Sequence, residues 1–238
     1  MLRAFIRRLF HLKPYEDSVI NRTSGRVRYS LALAETRCAG KHVLDVGASI
    51  GWFEAWAQQR GDVAVSAVEI NPGALERARA NAPDSDYHLG SALELPFPDR
   101  SFDGAVMFEV IEHTPRGTES RVLREVRRVL RPGGWFLLST PNAHPLAMAL
   151  DPAWYLGHRH YSTRAIGRLI TEAGFSIARI TVRGGMWELF GTTWLYVFKW
   201  IFGAEPPARA AIDARVQREF FDERRNMTNV FVEALADR

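Results

Sequence analysis

A chain of 238 residues, 47% hydrophobic and 24% charged, has room for one α/β domain with an elaboration, and its make-up is that of a globular protein, not a disordered or fibrous one. The net charge of +4 is mild and no long basic block stands out, so nucleic acid is not expected as a partner. Cys38 is the sole cysteine, which excludes an intrachain disulfide and makes a reducing cytoplasm the expected setting.

In chain order, Leu2, Phe5, Ile6, Leu9 and Leu12 fall at helical spacing, with Arg3, Arg7, Arg8 and His11 between them. The arginines interrupt the apolar run, so neither a signal peptide nor a spanning helix is expected. Such a basic amphipathic helix either docks on its own domain or lies peripherally at the inner membrane face. His42 to Val46 reads as a buried strand, followed by a tight turn flanked by Gly47 and Gly51, a helix over Trp52 to Arg60, and a second strand over Val63 to Glu69. Next come a helix over Gly73 to Ala82, strands over Ser85 to Leu89 and Phe102 to Phe108, a helix over Thr118 to Leu130, and a fifth strand over Gly134 to Ser139. Thr163 is expected to cap a helix over Arg164 to Ala173 that Gly174 ends; strands six and seven fall at Phe175 to Val182 and Thr228 to Ala234. Strands alternating with helices imply an α/β, doubly wound, parallel sheet.

Between strands six and seven, Gly184 to Gly203 is rich in aromatics, from Trp187 to Phe202; Pro206 and Pro207 break it, and a polar helix is expected over Ala208 to Arg225. The aromatic segment reads either as a buried capping helix or homodimer interface, or as a lid over the substrate cleft that touches membrane.

The chemistry is concentrated at the first turn. Gly47 and Gly51 permit unusual dihedrals and close approach of a ligand, the following helix offers its amide groups, and Glu69 ends the second strand where a carboxylate can accept hydrogen bonds from a ribose diol. The turn is Gly-x-x-x-Gly, not Gly-x-Gly-x-x-Gly, and Asp45 just before it would repel a pyrophosphate but attract a sulfonium or an ammonium group. S-adenosylmethionine is therefore favoured over a dinucleotide.

Val43 to Gly51 with Glu69 resembles motif I of the class I S-adenosylmethionine-dependent methyltransferases. Gly90-Ser-Ala-Leu-Glu-Leu-Pro-Phe-Pro-Asp-Arg-Ser-Phe-Asp103, Phe108-Glu-Val-Ile-Glu-His113 and Val129-Leu-Arg-Pro-Gly-Gly-Trp-Phe-Leu-Leu-Ser-Thr-Pro-Asn142 resemble further segments of that family, in its order. The resemblance covers about residues 26 to 183 and resumes at 228 to 235. It implies a Rossmann-like, seven-stranded, mostly parallel sheet with an antiparallel last strand. The expected organisation is a lead-in over 1–25, the S-adenosylmethionine-binding core over 26–183, the aromatic helical insertion over 184–227, and the final strand over 228–238. It also implies Asp45, Gly47, Ala48, Gly51, Glu69, Ile70, Ser91, Ala92, Leu93 and Glu109 as cofactor-binding residues, with Asp45 near the amino-acid end. Two positions depart from the family pattern: Ser49 stands for its middle glycine, and Ser91 for the acid that contacts adenine.

At the end of strand four, His113 is the first choice for a general base, since histidine titrates near neutrality, against a structural role holding the loop. The Glu-Val-x-Glu-His pattern resembles that of the ubiquinone-biosynthesis O-methyltransferases, whose two glutamates and histidine bind a divalent metal; the matching residues are Glu109, Glu112 and His113, although no metal is expected here. His158-Arg-His-Tyr-Ser162 resembles an element of several small-molecule methyltransferases, in which His160 and Tyr161 would face the acceptor; the alternative is a helix-entry loop capped by Ser162 or Thr163. The expected function is transfer of a methyl group to a hydroxyl of a small-molecule or lipid-linked acceptor. The rivals are a sugar or other polar acceptor, a C- or N-methyl product, and a non-catalytic partner protein of the same fold.

Overall fold

The computed structural model describes residues 24–237 except 152–153, 155–156, 199–201, 204–205 and 225. The N-terminal helix expected over 1–13 lies outside the described residues.

Helix α1, Gly25–Glu35, precedes the first strand and was not anticipated from the sequence. Ser24 caps it, its hydroxyl accepting from the Val27 amide, and Gly25 leaves no room for a side chain, since a Cβ there would sit 2.5 Å from Phe220. The remaining elements are β1 (Lys41–Val46), α2 (Trp52–Arg60), β2 (Val63–Glu69), α3 (Pro72–Asn81), β3 (Asp86–Leu89), β4 (Phe102–Phe108), α4 (Glu119–Val129), β5 (Leu130–Pro141), α5 (Pro145–Leu150), α6 (Thr163–Glu172), β6 (Phe175–Arg183), α7 (Met186–Val197), α8 (Arg209–Phe221) and β7 (Asn229–Ala236). Ser162, not Thr163, caps α6, because its hydroxyl accepts from the Ala165 amide at 3.2 Å. Strand β5 begins at Leu130, ahead of the expected Gly134, because Leu130 already pairs with Phe102 across a register shift.

The seven strands lie in the order β3-β2-β1-β4-β5-β7-β6. Strands β1 to β5 run parallel, and β7 is antiparallel to both neighbours, β5 and β6. Alternating strand residues feed two cores on opposite faces. Leu44, Val46, Phe102, Ala105, Met107 and Val232 meet α4 and α6 on one face. Val43, Val106, Phe108, Leu137 and Phe231 meet α1, α2 and α8 on the other. Burial on both faces explains why these strands read as near-continuous apolar runs. The insertion folds back on the second face: Gly191 of α7 lies so close to α8 that an added Cβ would stand 3.0 Å from Ile212. Among the described residues, no helix is long and apolar enough to cross a membrane.

Candidate functional site

Val46, Glu69, Phe108 and Pro141, at the C-terminal ends of β1, β2, β4 and β5, border one cavity of about 480 Å³. This is where an open α/β sheet places its ligands.

The turn after β1 is built on left-handed backbone at Gly47 (φ 91°), Ser49 (φ 50°) and Gly51 (φ 78°). The amides of Gly47 and Ala48 both donate to the Val68 carbonyl, which ties the turn to β2. A Cβ on Gly47 would stand 2.4 Å from Val110, and one on Gly51 would stand 2.9 Å from the Ala78 backbone, so both positions need glycine for space as well as conformation. Glu69 accepts from the Ser49 amide at 2.9 Å through one oxygen and from the Asn71 amide at 2.8 Å through the other. Two backbone amides thus fix this carboxylate, which lines the cavity.

Of the residues expected to meet the cofactor, Gly47, Glu69, Ile70, Ser91, Ala92, Leu93 and Glu109 line this cavity. Asp45, Ala48 and Gly51 do not, and act from behind the turn. Ala48 is fully buried against Ala67, Leu75 and Ala78, and Gly51 caps α2. Asp45 was expected near the amino-acid end of the ligand, but it is only 3% exposed and lies beside the buried carboxyl of Glu54 on α2. Burial first, and then the neighbouring carboxyl, hold Asp45 well above the usual carboxylate range; burial raises Glu54 to about 7. Burial thus favours the protonated form of both carboxyls, and Asp45 does not line the cavity.

At the far end of the cavity, Glu109 sits in left-handed backbone (φ 59°) and accepts from Ser139 at 2.7 Å, from Arg26 of α1 at 2.5 Å, and from Asn229 at 3.4 Å. Arg26 also reaches Glu188 of α7 at 3.3 Å, so one guanidinium ties the lead-in helix, the strand-four end and the insertion together. Burial raises Glu188 above the usual range in spite of that pairing, and burial together with Glu109 raises Glu112, which accepts from Thr140 at 3.1 Å. His113 meets His158 edge to face at 4.3 Å; burial, then the second imidazole, lower His113 to about 4, so it is neutral at physiological pH. The expectation that it titrates near neutrality is therefore corrected.

His160 lines the cavity, but both its nitrogens face acceptors, the Asn142 carbonyl and the Asp151 carboxylate, each at 3.0 Å. Both ring nitrogens are thus engaged by protein groups. Tyr161 is buried, with its hydroxyl on Glu119 at 3.3 Å, so it does not face an acceptor. Among the described residues, no three His, Cys, Asp or Glu side chains are arranged to hold a metal ion.

Two residues were missed. Arg26 lies 83 positions from its partner Glu109, and no local pattern announces it. Arg159 donates to the carbonyls of Ile111, Glu112 and Thr114 and pairs with Glu119, fastening the turn that carries Glu112 and His113. It stands inside the His158–Ser162 motif, whose histidines drew attention away from it.

Residues 44–138 match the methyltransferase domain family. The "probable S-adenosylmethionine-dependent methyltransferase" of Mycolicibacterium smegmatis is 36% identical over 144 residues, 59% of this chain and 54% of that protein. An O-methyltransferase of Aspergillus sclerotiorum is 25% identical over 192 residues, 76% of this chain and 72% of that one. An S-adenosylmethionine-dependent methyltransferase structure from Mesorhizobium loti superposes with a TM-score of 0.63 at 21% identity, over 89% of this chain and 98% of that chain. The chain spans about half the length of the first of these relatives.

Proposed function

We propose that this chain, which carries a class I S-adenosylmethionine-dependent methyltransferase domain, transfers a methyl group to a hydroxyl of a small-molecule or lipid-linked acceptor. The observation that supports it is one continuous cavity running from the amide-anchored Glu69 to the His113, His158 and Glu188 end. The residues fit S-adenosylmethionine. Glu69 would accept from the ribose hydroxyls, Gly47 leaves the turn bare of side chain, and Ser91 to Leu93 would wall the adenine. When bound, S-adenosylmethionine supplies a methyl group activated on a sulfonium. The protein's part is to place the acceptor and exclude water. His113, neutral and on the cavity wall, accepts a hydrogen bond from the acceptor hydroxyl, orients its oxygen and takes its proton as the new O–C bond forms. Glu109, held by Ser139, Arg26 and Asn229, fixes the floor of that end. The O-methyltransferase relative from Aspergillus sclerotiorum supports oxygen as the methylated atom.

A second reading is a sugar or other polar acceptor. It is favoured by the polar groups of the far end, Glu109, Glu112, Asp151, Glu188 and Asn229. Purified protein with methyl-labelled S-adenosylmethionine and an extract of the source cells, split into lipid and aqueous fractions, separates the two. Label in the lipid fraction supports the first reading and label in the aqueous fraction the second; no transfer to either would refute both.

A further inference from the structure

Helix α7 and the residues just after it carry a ladder of aromatics: Trp187 to Phe190 to Trp194 to Phe198 to Phe202, with successive ring centroids 6.0, 5.7, 4.5 and 5.0 Å apart. Trp194 packs on the core, whereas Trp187, Phe190 and Phe202 are 38%, 45% and 62% exposed. Beside them, Leu146, Leu150 and Trp154, on and just after α5, are also exposed, and Thr193 of α7 donates to the Leu150 carbonyl at 3.3 Å. Monomeric proteins rarely leave such a set of large apolar side chains together in water.

Two features say what covers this face. The first is continuity with the cavity: α5 and α7 also wall it, through Ala147, Leu150, Leu189 and Thr192. The second is charge. The exposed Arg215 of α8 lies 4.5 Å over the Trp187 ring, and exposed Arg218 follows on the same helix. Tryptophan and phenylalanine bordered by arginine suit the interface of an anionic membrane. A second copy packed symmetrically would set the same basic border against itself.

We propose that the α5–α7 face seats the protein on a bilayer bearing anionic headgroups, with the cavity mouth turned toward the lipid. The proposal rests on the lipid-linked branch of the acceptor reading, since it gives such an acceptor a path into the cavity that avoids water. Full-length protein would be sedimented with vesicles of phosphatidylcholine alone and of phosphatidylcholine mixed with phosphatidylglycerol, next to a Trp187→Ser, Phe190→Ser variant. Neither side chain belongs to the buried core, so the variant is expected to fold and to bind S-adenosylhomocysteine as the wild type does. Wild type should pellet with the anionic vesicles, less so at high salt, and the variant's partitioning should fall at least about tenfold. Failure of the wild type to pellet, or equal pelleting of the variant, would overturn the proposal. So would a wild-type dimer that the substitutions split in sedimentation velocity, which would assign the face to a second copy. Intact vesicle binding with methyl label only in the aqueous fraction would sink the lipid-linked acceptor while leaving the surface standing.

Discussion

Replacing Glu54 by glutamine should make the protein more stable than the wild type at neutral pH and leave it about equal in acid. Glu54 is completely buried, and no donor of good geometry reaches either of its oxygens. Burial favours the protonated form of Glu54, and that proton is lost as pH rises. The sign is the reverse of the usual carboxylate case. Glu54 ionises near its ordinary 4.5 when the chain is unfolded but near about 7 when it is folded. The native state therefore binds more protons across that window, and stability falls as pH rises through it. Lifting a carboxyl that far corresponds to about 3 kcal/mol of destabilisation above pH 7. The wild-type profile alone would obscure this. His113, lowered to about 4 from an ordinary 6.5, contributes the opposite slope, with stability lost as pH falls between those values. Only the difference between variant and wild type isolates Glu54. Urea unfolding at pH 5 and pH 8 should show the Glu54→Gln advantage growing by about 2 to 3 kcal/mol. A difference that stays flat, or shrinks with rising pH, would refute the raised ionisation of Glu54.

Glu69→Gln keeps the size of the side chain but turns an amide NH2 toward one of the two backbone donors, so S-adenosylhomocysteine affinity by calorimetry should fall about 10- to 100-fold. Gly51→Ala must hold alanine at φ 78° with its Cβ 2.9 Å from the Ala78 backbone; thermal unfolding should show a loss of about 2 to 4 kcal/mol. Arg159→Ala leaves the carbonyls of Ile111, Glu112 and Thr114 and the Glu119 carboxylate without their donor. It should cost about 2 to 4 kcal/mol and lower methyl transfer to the extract, while S-adenosylhomocysteine still binds.

Strands β2 and β4 match their expected bounds residue for residue because both are apolar on each face and end at an acid or at the start of a loop. Helix α1 escaped notice because its buried residues, Val27, Tyr29, Ser30 and Leu33, form no clean apolar stripe; it is stabilised by α8 and β5, which arrive much later in the chain. The glycine turn and Glu69 were legible because backbone conformation and a strand-end carboxylate are local requirements. The state of Asp45 was not, because it depends on Glu54 meeting it across the start of α2. The partners of His160 were hidden for the same reason: spacing shows an imidazole near the site but not that the Asn142 carbonyl and Asp151 meet its two nitrogens.

The most direct test is a crystal structure with S-adenosylhomocysteine. The ribose hydroxyls should lie on the Glu69 carboxylate, the adenine against Ser91 to Leu93, and the sulfur should point toward Glu109 and His113. An adenosyl group bound elsewhere, or one that leaves Glu69 without a ribose contact, would contradict the assignment of this cavity.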